Sequence, residues 1–444
     1  MIRTLLSFCL LFGGLLVVSR CLQQSTQPAA APPAPTSVEL AAPPVEPAAC
    51  EPPRLHSAVE EAAPPSIQLI SFDDDTVPAD KPVDDRPADE KAGEPTEAGP
   101  TAKRDAVEIE VTPELEELRG RIRECLAYYY FKPENVAIRS PWGAMHAMIA
   151  YGVDSELIAG SKKVNAIGYL CYNGTCNGQQ LFYLTNGKLQ TRIGPGVQGH
   201  PGQFLAMLAQ SRVKTDFPIV VEGKNFTVAD LIQHEKDTCR PATELTFKLI
   251  AFTHYLKSDE KWKSNDGQAW DIPRVIKEEL AQPIVGAACG GTHRMTGFSY
   301  AFRKREARGE EFTGQWLRAK KFVEDYHDYA FRLQNPDASF STDWFAGRAD
   351  SGPPTRRLET TGHITEWLTY SLTKEELVEA RMTKSVRYLA DLLMDNRTEK
   401  WGIGPLGHGL HALALYDERV FGGTPGTRAT ELASIRKLQK GVER

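Results

Sequence analysis

The feature that most constrains what this chain can fold into is an alternation. Amphipathic segments such as "GQWLRAKKFVEDYHDYAFRLQ" and "KEELVEARMTKSVRYLADLLM" each lead, through a short loop, into a segment rich in Gly, Ala and Thr and poor in charge. An apolar stripe suits a helix that buries one face, and near-absence of charge suits one covered on both sides. The less charged segments begin near Glu244, His293, His363 and His408. "MHAMIAY" from Met145 aligns with "LHALALY" from Leu410, which reads as a loose repeat with a period of roughly 45 to 70 residues. Helices flanked in this way bury both sides only by closing into a ring. The expected fold is therefore mainly α, an α/α toroid of about five to six helical hairpins.

The pattern starts with "PELEELRGRIRECLAYYYF", which opens on Pro113 with acids in the first turn, followed by a helix capped by Ser140 with Pro141 at its first position. Between residues 161 and 197, "VNAIGYLCY", "TCNGQQLFYLT" and "KLQTRIG" read as strands joined by Asn173-Gly174 and Asn186-Gly187, a small three-stranded β-meander insertion. A two-residue turn at Asn173-Gly174 makes Cys171 and Cys176 a non-hydrogen-bonded pair with Cα atoms about 4.5 Å apart, close enough for a disulfide. Cys239 and Cys289 each lie four residues ahead of a weakly charged helix start, and a second disulfide is expected there. The toroid domain spans 106–425 and a C-terminal tail 426–444.

Ahead of the domain, Arg3 and the apolar run from Leu5 to Val18 match a signal peptide or short membrane anchor over residues 1–20. Residues 21–105 are rich in Pro, Ala and acids, with too few large apolar groups to offset the entropy of ordering, and read as a disordered tether. An exported chain in the periplasm or cell envelope follows, touching membrane only through its N-terminal segment, and an oxidising compartment permits the disulfides. The net charge is −6, from 58 acids and 52 bases; residues 73–105 hold 11 acids and 5 bases, so the remainder balances at 47 of each. No basic footprint for nucleic acid remains. The composition leaves the oligomeric state open.

"RAKKFVEDYHDYAFRLQNPDASF", Arg318 to Phe340, resembles the QW repeat of the terpene cyclase and prenyltransferase-like toroid superfamily. Gln334 matches the repeat's Gln, while Ala338 stands for its Gly and Phe340 for its Trp, with stretched spacing. The resemblance implies the toroid fold. It does not carry over the family's chemistry, because the helical region lacks both the Asp-rich box of the cyclases and the Asp-x-Cys pair of protein prenyltransferases. Lanthionine synthetase-like cyclases are also toroids and hold zinc with Cys and His; here the corresponding set is Cys289, His293, His363 and His408, with zinc as the cofactor it would take. Spacing alone assigns no metal site.

In a toroid the inner helices run parallel and their N-termini gather at one end. His293, His363, His408 and Glu244 are then the candidate catalytic residues, and Arg294, Glu366, His146, His411 and Trp344 the candidate ligand-binding ones. Helix N-termini favour neutral imidazole, able to act as base or ligand. The expected function is the binding, with processing as its extension, of an extended ligand such as a glycan or isoprenoid. The alternatives are a non-catalytic cell-envelope interaction module and a zinc-dependent cyclase-like enzyme.

Overall fold

The computed structural model describes residues 108–442, so the expected signal or anchor, residues 1–20, and the expected tether, residues 21–105, lie outside the described residues. Among the described residues no helix is long and apolar enough to cross a membrane. The chain is mainly helical, with fourteen α-helices and four small sheets of two or three strands among the described residues.

Helix α1 (Pro113–Tyr130) begins where the Thr112 hydroxyl accepts from the Leu115 amide, with Pro113 in the first turn beside Glu114 and Glu116. Helix α2 (Pro141–Ile149) starts in the same way at Ser140. Strands β1 (Glu134–Asn135), β2 (Glu156–Ala159) and β3 (Lys162–Asn165) form one sheet, with β1 parallel and β3 antiparallel to β2. Helix α3 (Ala166–Cys171) follows, then the hairpin of β4 (Phe182–Thr185) and β5 (Lys188–Thr191), and α4 (Gln203–Gln210). Two more hairpins, β6 (Pro218–Val221) with β7 (Lys224–Thr227) and β8 (Lys261–Lys263) with β9 (Ala269–Asp271), lead into α5 (Val228–Asp237) and α7 (Ile272–Leu280). Helix α6 (Thr246–Tyr255) lies between them in sequence. The C-terminal half holds α8 (Thr292–Ala307), α9 (Gly314–Arg332), α10 (Pro354–Ser371), α11 (Lys374–Leu377), α12 (Ala380–Asp395), α13 (Ile403–Phe421) and α14 (Arg428–Val442).

The expected alternation is present as burial. α12 buries one stripe, Met382, Ser385, Val386, Leu389, Ala390 and Leu393, while α10 is buried at every position from Thr360 to Ser371. Among the well-covered helices, α2 packs on α4, α4 on α6, α6 on α8, α8 on α10, α10 on α13, and α13 back on α2. Glycine makes the tightest of these approaches. A methyl group on Gly407 of α13 would run into the main-chain carbonyl of His146 on α2.

Three sequence expectations are corrected. First, residues 161–197 are not a three-stranded meander: "AIGYLC" is helix α3, and the strands belong to separate hairpins. Asn165 accepts from the Gly168 amide and so starts a helix where the apolar run looked like a strand. Second, Asn173-Gly174 closes α3 instead of turning a hairpin. Asn173 is left-handed (φ 54°), its amide donates to Leu170 O, and the Gly174 amide donates to Tyr169 O, the two bonds of a Schellman cap. Cys171 therefore ends a helix and is not opposite Cys176; both are buried free thiols, as is Cys239, and the partly exposed Cys289 is free as well. Third, the stretch expected as a C-terminal tail carries helix α14, which packs against α1.

At the QW-like segment, the Gln334 amide donates to Arg381 O at 2.9 Å and to Ser385 Oγ at 2.6 Å, tying the end of α9 to α12. Ala338, at the position where the repeat has Gly, has φ 69°, and Phe340 is buried.

Two glycine substitutions separate close packing from helix propensity. Gly407→Ala should destabilise the chain by about 1–3 kcal/mol, because α2 and α13 must part. Gly120→Ala, on α1 with open space around it, should stabilise it by about 0.5–1 kcal/mol. Chemical denaturation midpoints check both, and equal effects would contradict the packing.

Candidate metal centre

The turn that presents Cys289 is left-handed for three successive residues: Cys289 (φ 47°), Gly290 (φ 63°) and Gly291 (φ 81°). Any Cβ on Gly290 would overlap the Trp344 ring, and one on Gly291 would lie 2.7 Å from Ile284 O, so both positions require glycine. A cysteine in this region is uncommon and is held there by its surroundings. The Thr292 hydroxyl donates to Cys289 O at 2.7 Å, and the turn delivers the thiol directly onto the start of α8, where His293 is the second residue.

Opposite stands His363 on α10. One ligand atom each from Cys289, His293 and His363 lie within 4.8 Å of one another. The cluster extends further: the His363 and His408 rings are 3.9 Å apart, His293 and His408 5.3 Å, His146 and His408 5.4 Å, and His200 and His293 5.3 Å, centroid to centroid. Five histidines, from α2, the loop ahead of α4, α8, α10 and α13, thus meet in one place. Trp344 covers them from the loop before α10, its ring 5.5 Å from that of His363 and beneath the Arg356 guanidinium.

The hydrogen bonds decide which nitrogens are available. His363 Nδ1–H donates to Glu359 O at 2.6 Å and His146 Nδ1–H to Trp142 O at 2.7 Å. His408 and His411 donate through Nδ1 to the two oxygens of Glu366, at 2.7 and 2.5 Å, and His200 Nδ1 pairs with Glu244 Oε2 at 2.7 Å. Each of these rings is thereby fixed with Nε2 as its remaining nitrogen, the arrangement seen where a carbonyl or carboxylate orients a metal-ligating imidazole. His363 Nε2 and both nitrogens of His293 are buried without any hydrogen-bond partner. Unpartnered buried polar atoms cost about 1–3 kcal/mol each, so three of them in one spot call for a ligand.

Electrostatics keep the lone pairs free. Burial, then the neighbouring His408, holds His293 and His363 well below the usual histidine range, and the same two causes bring His146 down to about 3. The expected helix-terminus effect is not the cause for His363: α10 begins at Pro354, so this residue lies mid-helix. Burial opposes ionisation of Glu366, yet His408 and His411 hold its carboxyl well below the ordinary range. Burial first, and Glu359, Glu366 and Glu244 next, push the Cys289 thiol up to about 12. An unaided thiolate nucleophile is therefore disfavoured; a cation would favour the thiolate.

Of the residues expected from the sequence, His293, His363, His408, Glu366, His146, His411, Glu244, Trp344 and Cys289 come together. Arg294 does not. Its guanidinium bonds Glu279 at 2.8 Å and Pro283 O at 2.5 Å, pinning α8 to α7. Cys239 bonds Glu235 O at 3.4 Å. His200 was missed, although "GHPG" ahead of α4 repeats the Gly-His pairs at Gly362-His363 and Gly407-His408.

No family model, curated protein or solved structure matches this chain.

Two outcomes test the electrostatics. A histidine held below its unfolded value near 6.5 takes up its proton on unfolding, so stability is full above pH 6.5 and falls as pH drops toward 3. Thermal melts of the chelator-treated chain should fall across this window, less steeply for His146→Gln; an unchanged slope contradicts the assignment. Glu366→Gln should cost about 1–3 kcal/mol, because His408 and His411 bond different carboxylate oxygens and the amide would turn one of these acceptors into a donor, and denaturant titration reads it directly.

Proposed function

We propose that this chain is a metalloprotein in which Cys289, His293 and His363 hold a zinc-type ion, with the His408 ring packed beside them. The observation that carries the reading is the pair of buried, unpartnered nitrogens on His293, next to a thiol and a second free imidazole nitrogen. In a tetrahedral zinc site, bond lengths of 2.0–2.3 Å put ligand atoms roughly 3.3–3.8 Å apart. Small side-chain rotations bring the three atoms to that separation. Thiolate and imidazole together favour zinc over magnesium or calcium. Glu359 O would fix the His363 imidazole from behind, the kind of partner that typically raises metal affinity.

The scaffold for this centre is, in the same reading, an α/α toroid. Six helices (α1, α3, α5, α7, α9, α12), all but the short and buried α3 leaving a face exposed, each precede one of the six covered helices, and the covered helices pack in a closed sequence from α2 to α13 and back. Tying of α9 to α12 by Gln334 supports the likeness to the terpene cyclase and prenyltransferase-like superfamily. The donor set departs from the Asp-x-Cys pattern expected of prenyltransferases and is nearer to the Cys and His set of lanthionine synthetase-like cyclases.

The centre serves ligand chemistry and not folding. Three protein donors leave a coordination position, as catalytic zinc sites do. The helices that carry them already bury a continuous apolar core. When bound, the ion would supply Lewis acidity at that position. His200, oriented by Glu244, would hold or accept a proton beside His293, and Trp344 would exclude water.

Purified chain loaded with zinc should retain about one equivalent by mass-spectrometric metal analysis. Cys289→Ser and His293→Ala should each lose most of it while keeping the helical circular-dichroism spectrum. Full retention in both variants, or no uptake of zinc or cobalt by the folded chain, would overturn the reading.

A further inference from the structure

A cavity of about 460 Å³ opens between the end of α1, α2 and the start of α13. That volume is in the range of small-molecule sites. Its interior is apolar and aromatic, with Tyr130, Ala150, Trp401 and Leu410 buried in its walls. His146 also lines it, and the His146 ring lies 5.4 Å from that of His408. The inner end of the cavity is therefore one side chain away from the histidine cluster.

The rim has the opposite character. Four cations, Lys132, Arg139, Arg397 and Lys400, face three acids, Glu134, Glu156 and Glu399. Glu134 is taken by Arg139 at 2.5 Å, and Glu156 by Lys163 at 2.6 Å. Lys132, Arg397 and Lys400 are then left against Glu399, an excess of two positive charges. Tyr128 gathers two of the three, with Lys132 Nζ 3.7 Å and the Arg397 guanidinium 5.7 Å from its ring centroid. All three cationic residues are exposed, so a charged group meeting them stays near water while an attached apolar body enters the cavity.

We propose that this cavity binds an amphiphilic organic anion, a chain-like apolar body inward against Trp401 and Leu410 with its anionic head at Lys132, Arg397 and Lys400. The far end of the body then reaches His146. This inference takes only the position of the histidine cluster from the metal-centre reading, and deepens it by naming the class of ligand that would approach the centre.

The test is calorimetric titration of the full chain with decanoate, dodecanoate and dodecyltrimethylammonium, each below its micellar concentration. One-to-one binding of the carboxylates is expected, dodecanoate roughly tenfold tighter for its two extra methylenes, with no binding of the cation. Arg397→Glu with Lys400→Glu, a surface change, should weaken dodecanoate at least tenfold at unchanged thermal midpoint and zinc content. Ala147→Phe, which narrows the cavity, should abolish binding. Dodecanoate should also shift the visible bands of cobalt-loaded chain. Equal binding of the cationic amphiphile, or dodecanoate affinity untouched by both variants, overturns the proposal, and cobalt bands that do not move overturn the link to the cluster. Chain-length-dependent carboxylate binding by a chain that takes up no metal would sink the metal centre alone; zinc uptake without carboxylate binding would sink this inference alone.

Discussion

The contact on which the centre depends is the seam between α10 and α13. A Cβ on Gly362 would lie 3.1 Å from the Cα of Gly409, so the two backbones meet there without a side chain between them, while Gly409 itself is capped by Leu358 Cδ1, 2.9 Å from where its Cβ would be. That approach sets the His363 ring 3.9 Å from His408 and brings the Glu366 carboxylate of one helix onto His408 and His411 of the other. A larger residue at Gly362 would push the α13 backbone away and with it separate the two imidazoles.

Burial then sets the chemistry. Burial takes the charged form away from His146, His293 and His363, and the neighbouring His408 disfavours it further, so these three rings are held neutral. Glu366 does the reverse: it stays ionised at depth because two Nδ1–H groups donate to it. The cost of a buried carboxylate is offset only while both donors remain. The cluster is thus a set of lone pairs aimed inward, with the negative charge held one layer behind. Cys289 completes it from a turn that only the two following glycines permit.

Much of this was legible in the residues. Charge-poor segments following amphipathic ones marked the covered helices, because burial on two sides excludes charge. Ser140 and Pro141 marked a helix start through a cap whose chemistry is local. His293, His363 and His408 were grouped as helix-start residues; they do meet, but from the second, tenth and sixth positions of α8, α10 and α13, so burial of polar residues on charge-poor helices and not a shared helix end joins them. The failures have equally physical origins. "VNAIGYLCY" has the apolar run of a strand, and only Asn165 as a cap distinguishes it from one. Asn-Gly serves a left-handed helix cap as readily as a hairpin turn, which undid the Cys171 to Cys176 disulfide. Arg294 sits beside a cluster residue in sequence, but one step along a helix turns a side chain by about 100° and sent it to Glu279. His200 lay in a stretch assigned to no site, although its Gly-His pair matched the others.

Zinc K-edge X-ray absorption of the loaded chain tests the central claim most directly, since it counts donor types at the ion itself. The account predicts one sulfur at about 2.3 Å and two to three imidazole nitrogens at about 2.0–2.1 Å. A shell of oxygens alone, or a nitrogen shell that persists unchanged with no sulfur, would contradict it.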